Sequence, residues 1–404
     1  MTSTLINLEQ LPINDIHLLR DLNKHLKRGH RWVFADCFDS LSTTGIGLLK
    51  YKKDFIGIGL VQADTQLRFR MLTLMSEPFV FSNSVEKTLL KWSELSWEKA
   101  VSLRKLSFGE HTNCFRLING EGDGFPGMVI DIYHNTAVIK HDHEVCERFY
   151  HHKGIAEKIL IDFPQIECVY LKRRNDVEDK GQNIYGELQS EVIFKENDCF
   201  FASNIRDAAK TGFFLDQRDN RFLISRFSKN KSVLNLFSYT GGFSLFAAKG
   251  GASHVTSVDI AKPAIAAVNR NFEVNQLHTK NEAIAEDAFL YIENNISSKS
   301  KWDIVITDPP SFAPNQKALE AAINAYTKVF SQSLSLVKGN GLFAASSCSS
   351  HLKQDMFLKV CEEAFSKTKK KGTIVYLGGQ PFDHPYPIVM DELKYLKFAL
   401  FRVD

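Results

Sequence analysis

No run of apolar residues approaches the roughly 18 that a membrane-spanning helix requires, so nothing in the sequence reads as a transmembrane segment. The N-terminal ten residues lack a basic n-region and a long apolar h-region, which argues against a secretory signal. Paired cysteines are missing too. Seven Cys lie scattered at 37, 114, 146, 168, 199, 348 and 361, with no CxxC pair and an odd total. That pattern argues against a disulfide framework or a zinc site, and for a reduced, cytosolic setting. A strong charge of either sign is absent: 50 Lys+Arg oppose 47 Asp+Glu, a net +3. Such a balance does not by itself announce a nucleic-acid binder. No internal repeat is present, and the one biased tract, Lys367 to Lys371, is short. What remains is a chain of 404 residues, 44% hydrophobic and 24% charged. It is long enough for two or three domains and sizeable cores, and global disorder is excluded.

The charge is unevenly spread. Residues 1–75 hold ten Lys+Arg and seven Asp+Glu, which accounts for the whole +3. Arg20, Lys24, Lys27, Arg28 and Arg31 crowd together with only Asp21 opposing them. A local patch of this kind steers a polyanion even on a nearly neutral protein, although a solvated helix face has the same look. The same region carries short β-like runs at 47–49, 55–61 and 67–72, the last alternating apolar and basic as a half-buried strand does. A short basic helix near 17–28 leads this small, mostly-β module. Residues 77–195 are mixed, with a helix expected from Ser84 to Leu106, strands at 114–118, 128–132 and 134–140, and a helix from Cys146 to Phe163.

From about residue 200 the pattern changes. Apolar runs at 232–237, 254–258, 304–307 and 341–345, with a weaker one at 282–285, alternate with helical stretches. This predicts βαβ units and a parallel, doubly wound sheet. Runs at 373–377 and 394–401 have no helix pattern between them and predict a hairpin at the sheet edge. In such a sheet, ligands bind beyond the carboxyl ends of the strands. Those ends read Ser238-Tyr239-Thr240-Gly241-Gly242, then Asp259, then Glu286-Asp287, then Asp308-Pro309-Pro310-Ser311-Phe312, then Ser346-Ser347-Cys348-Ser349-Ser350. The first turn has neither dinucleotide spacing nor a P-loop Lys, which argues against NAD and ATP. Taken singly, a glycine pair is a turn, an Asp after a strand is a helix cap, and a Cys is a small buried hydrophobe. Five such features in order are more specific, and they suggest S-adenosylmethionine.

Residues 232–404 resemble a class I S-adenosylmethionine-dependent methyltransferase. With His30–Phe34, Phe115–Gly127, Lys210–Asp219, Asn235–Phe243 and Ser347–Ser349 added, nearly the whole chain resembles the bacterial large-subunit rRNA cytosine-C5 methyltransferases. The fold this implies is α/β: a PUA-like RNA-binding domain over 1–76, a central α/β domain that positions RNA over 77–195, and a Rossmann-like methyltransferase domain over 196–404. The partner implied is 23S rRNA in the cytoplasm. Oligomeric state stays open, a homodimer included.

The resemblance also implies residue roles. Phe237, Tyr239, Gly241 and Gly242 would bind the cofactor, with the glycine turn at its methionine end. Asp259 would hold the ribose and Asp287 the adenine amino group. Asp308 would serve cofactor and target base, and Cys348 would be the nucleophile. Two departures stand out: related enzymes often carry Lys where this chain has Ser311, and the Asp-Pro loop has no second Cys. Ser311-Phe312 also resembles the loop of enzymes that methylate exocyclic amines. A guanine or adenine N-methyltransferase is therefore the alternative, and a non-catalytic RNA-binding assembly protein the third reading. Cys348 discriminates, because the related guanine-N7 enzymes lack a Cys there.

Overall fold

The computed structural model describes residues 4–39, 41–77, 80–82, 84–173 and 179–404. The chain forms two compact units. One comprises Met1–Val192, Asn204–Phe213 and Phe382–Asp391; the other comprises Ile193–Ser203, Phe214–Pro381 and Glu392–Asp404. Among the described residues no helix is long and apolar enough to cross a membrane.

The first unit opens with β1 (Ile13–His17), α1 (Asn23–Lys27), β2 (Trp32–Phe34), β3 (Gly45–Tyr51), β4 (Asp54–Val61) and β5 (Leu67–Leu74). These strands form one sheet in the order β1-β3-β4-β5-β2. The helix expected near 17–28 is shorter than the sequence suggests. The backbone N–H groups of Leu18 and Leu19 bond to the carbonyls of Lys50 and Cys37 instead of starting a helix. The strand β5 also departs from expectation. Its basic face is not solvated: Arg70 is buried, and its guanidinium is paired with Glu121 and Asp142. Carboxylate partners offset the cost of burying such a cation.

Next come α2 (Val85–Lys105), β6 (Cys114–Asn119), β7 (Met128–Tyr133), β8 (Thr136–His141), α3 (Glu144–Phe149), α4 (His152–Asp162), β9 (Cys168–Lys172) and β10 (Gly181–Tyr185). Ser84 caps α2 by accepting the Lys87 N–H, and the helix buries Leu89, Trp92, Trp97, Ala100 and Val101. The five strands pair as β10-β9-β8-β7-β6. The single helix expected over 146–163 is two, because an N-terminal segment pairs with the junction. Asn7 N–H bonds to Phe149 O, and His151 N–H bonds to Leu5 O. One continuous core joins both sheets of this unit and includes Ile58, Leu60, Trp92, Phe125 and Ile130.

Two distant segments belong to this unit through polar bonds. Buried Lys172 donates to the carbonyls of Ile205 and Ala208. Arg104 makes a two-pronged pair with Asp123 and also reaches the carbonyl of Asp383, whose carboxylate accepts the Arg116 N–H at 2.9 Å.

The second unit holds β11 (Val192–Glu196), which begins at the boundary, β12 (Cys199–Ser203), α5 (Arg218–Ser225), β13 (Ser232–Leu236), α6 (Gly242–Lys249), β14 (His254–Asp259), α7 (Lys262–Val274), β15 (Lys280–Ala285) and α8 (Ala288–Ser297). It continues with β16 (Trp302–Thr307), α9 (Leu319–Ser335), β17 (Val337–Ser347), α10 (Gln354–Thr368), β18 (Gly372–Gly378) and β19 (Lys397–Val403). Its seven-stranded sheet runs β15-β14-β13-β16-β17-β19-β18. The first five strands are parallel, and β19 is antiparallel to both β17 and β18. The hairpin expected at the edge is there, with its second strand on the inside. Helices cover both faces of the centre, so β13 and β16 are buried almost throughout. Strand order reverses between β13 and β16, which makes their carboxyl ends the switch point where such sheets bind ligands.

Candidate cofactor and catalytic site

The chain leaves β13 under strain. Phe237 and Tyr239 take φ of 58° and 46°, and Gly241 takes 79°. Non-glycine residues in this region cost roughly 1–3 kcal/mol each and persist where the surroundings enforce them. Here the surroundings are polar. Tyr239 N–H donates to Asp259 Oδ2 at 2.8 Å, and Asn271 donates to Thr240 O at 2.8 Å. A Cβ on Gly241 would lie 3.0 Å from Val268 of α7, so helix α7 packs directly beneath the turn. Gly242 lies against Arg221, and a Cβ there would stand 2.8 Å from its Cδ. Arg221 and Glu196, both buried, form a two-pronged pair. Gly241 is thus favoured by φ and by close approach, and Gly242 by close approach alone.

Asp259 ends β14. Its Oδ1 accepts the Ala261 N–H at 2.9 Å while Oδ2 accepts Tyr239. It is not the cap residue of α7, a position Ala261 occupies. Instead its carboxylate is locked between two strand ends and points one oxygen toward each. Asp287 differs. It caps α8, with Oδ1 accepting the N–H groups of Phe289 and Leu290, and it is exposed. Beside the turn, Ser238 Oγ and Thr240 Oγ1 are buried and find no hydrogen-bond partner among the described residues. Orphaned polar atoms are uncommon in folded chains, and two of them beside a strand-end turn suit a polar ligand.

Asp308 follows β16. Gln217 Nε2 donates to its Oδ2 at 3.0 Å and to Ser346 Oγ at 2.9 Å, joining the ends of two adjacent strands. Burial pushes the Asp308 carboxyl up to about 6, with the nearby Asp216 adding to the effect. Gln217 lies in the quoted Lys210–Asp219 motif, yet sequence reasoning gave it no role. Only its three-dimensional neighbours reveal one.

Cys348 follows β17. All seven Cys are described, and the other six are buried. Burial raises the thiols of Cys168 to about 11 and Cys199 to about 12. Cys348 alone has appreciable access to solvent. The serines around it are not a solvated surround: Ser346, Ser347 and Ser349 are buried and bonded. Ser349 Oγ meets Ser311 Oγ at 2.8 Å and Tyr326 OH at 2.9 Å, while Tyr326 OH also meets the carbonyl of Pro310. The Asp-Pro-Pro loop and the Cys loop are therefore tied through one tyrosine of α9. Tyr326 and Ser349 carried no signal in the sequence. Phe312 is turned into the core against Tyr326, with ring centroids 4.7 Å apart.

Comparison with known proteins agrees with this arrangement. Residues 165–369 match the family model of S-adenosylmethionine-dependent methyltransferases. The chain is 32% identical to a ribosomal RNA large subunit methyltransferase of Deinococcus radiodurans, over 94% of this chain and 95% of that one. It is 30% identical to a ribosomal RNA large subunit methyltransferase I of Alteromonas mediterranea, over 93% and 95%. A protein described as a methyltransferase and crystallised with SAH superposes with a TM-score of 0.83 at 27% identity, over 96% of this chain and 99% of that one. A protein from Streptococcus mutans described as a SAM-dependent methyltransferase superposes at 0.82, again with 27% identity and the same coverage. The glycine turn, the locked Asp259 and the orphaned hydroxyls fit a cofactor with an amino-acid end and a ribose. This chain belongs to the S-adenosylmethionine-dependent ribosomal RNA large subunit methyltransferases.

Proposed function

We propose that this enzyme methylates C5 of a cytosine in 23S rRNA, with Cys348 as covalent nucleophile. The relatives' names support the rRNA. The observation that carries the target atom is Cys348, the one accessible thiol of seven, at the end of β17 and tied to the Asp-Pro-Pro loop. S-adenosylmethionine, when bound, supplies a methyl group on a sulfonium. Gly241 and Gly242 would take its methionine end, with Phe237 and Tyr239 beside them. Asp259 would accept from the ribose hydroxyls, and Asp287 from the adenine amino group.

C5 of cytosine is too weak a nucleophile to take a methyl unaided. The Cys348 thiolate adds to C6, forming an S–C6 bond and pushing the C5–C6 π electrons onto C5 and the ring. Asp308 stabilises the proton that N3 then holds. After methyl transfer C5 gives its proton to water, the C–H electrons re-form the C5–C6 double bond as the S–C6 bond breaks and the thiolate leaves, and N3 returns its proton. The base lies out of its stack, since no duplex position gives a thiol access to C6.

The test is Cys348→Ala. It should abolish transfer and leave cofactor affinity nearly intact, because the thiol meets the base. RNA carrying 5-fluorocytosine at the target should trap the wild type as an adduct. A Cys348→Ala enzyme that transfers at near wild-type rate contradicts the mechanism.

A further inference from the structure

Lys397 is a lysine in the interior, 1% exposed, at the start of β19. In the β17–β19 register it stands opposite Ser347, one residue before Cys348. Its Nζ donates to the carbonyl of Ser349, the residue after Cys348, and to that of Tyr395 at 2.7 Å. An ammonium out of water is stabilised by a counter-charge as well as by acceptors. The charged groups that act on Lys397 are Cys348, Lys353 and Lys394, and no carboxylate among the described residues pairs with it. Of these three, only Cys348 can carry negative charge, as a thiolate.

We propose that Lys397 is the positioning residue of Cys348: its ammonium anchors the backbone just past the thiol and supplies the counter-charge of the thiolate. This rests on the reading of Cys348 as nucleophile. Burial and the two neighbouring lysines lower the Lys397 ammonium to about 8, while a charged Cys348 raises it. Interaction is reciprocal, so whatever Cys348 does for the ammonium, the ammonium does for the thiolate. The Tyr326 phenol of α9 also faces Cys348, and burial disfavours its own ionisation. It stays neutral and donates a hydrogen bond. An ammonium from β19 and a phenol from α9 thus bracket the Cys loop.

The experiment is the pH profile of Cys348 alkylation by iodoacetamide, followed by peptide mass mapping on the full-length enzyme. The wild-type midpoint should lie below the ordinary thiol value of about 8.5. Lys397→Gln keeps N–H donors for the two carbonyls and removes the charge; Lys397→Met removes both. Each should raise the midpoint by about one pH unit or more. At pH 7 kcat should drop about tenfold, with KM for RNA and cofactor affinity little changed. A wild-type midpoint at or above the ordinary value overturns the proposal without any variant. So does a Lys397→Gln enzyme that binds cofactor normally and keeps the wild-type midpoint. Because alkylation needs no methyl transfer, an active Cys348→Ala enzyme would sink the nucleophile reading and leave this pairing to be decided by the profile alone.

Discussion

Asp259 accepts one backbone N–H from each of two strand ends, so its carboxylate is oriented before any ligand arrives. Asp259→Ala should weaken S-adenosylmethionine binding by about tenfold or more, since hydrogen bonds to a charged group contribute roughly 1.5–3 kcal/mol. Titration calorimetry measures this, and an unchanged dissociation constant would return Asp259 to a structural role. Asp308 makes a pH-dependent prediction. Its carboxyl is raised from an ordinary 3.8 to about 6 by burial. Below the ordinary value, folded and unfolded chains both hold the proton and no stability is lost. As pH rises between the two values the unfolded chain ionises first, so stability falls. Above the folded value the loss is complete, about 3 kcal/mol. Asp308→Asn should therefore melt higher than wild type at pH 8 and gain almost nothing at pH 3. A gain that is the same at both would mean the charge is not the cause. Legible in the sequence was the placement of Asp259, Asp308 and Cys348 at strand ends. Gln217, Tyr326 and Lys397 were not, because each acts on a partner at least 20 residues away in the chain.

At the scale of elements, the turn from β13 into α6 is tightly constrained. Gly241→Ala would place a methyl 3.0 Å from Val268 at φ 79°. It should cost at least about 1 kcal/mol of stability and weaken cofactor binding with it. Denaturant unfolding with and without cofactor measures both. An Ala enzyme with wild-type stability would mean that α7 yields. The alternation of strands and helices past residue 200 was readable because parallel strands buried on both faces appear as unbroken apolar runs. Breaks imposed from afar were not. The gap between α3 and α4 comes from residues 5–7 pairing with 149–151. The buried face of β5 depends on Glu121 and Asp142, which neutralise Arg70 from outside the strand.

On the scale of the whole molecule, the chain passes from one unit to the other and back, since Asn204–Phe213 and Phe382–Asp391 return to the first. No composition shift announces this; single polar anchors such as Lys172 and Arg104 do it. The basic patch of the first unit is smaller than its sequence suggests. Arg20 pairs with Asp36 and Arg31 with Glu77, while Lys24, Lys27 and Arg28 are exposed. If those three touch RNA phosphates, removing Lys27 and Arg28 should flatten the salt dependence of RNA binding by about 0.7–0.9 log units per lost contact. Cofactor affinity should not move, and an unchanged slope would make the patch a solvated face.

The identity of the methylated atom is read directly by product identification. Large-subunit rRNA from cells lacking the protein is incubated with the enzyme and methyl-labelled S-adenosylmethionine, then digested to nucleosides. Label in 5-methylcytidine is the predicted result. Label in an N-methylated guanosine or adenosine would contradict it.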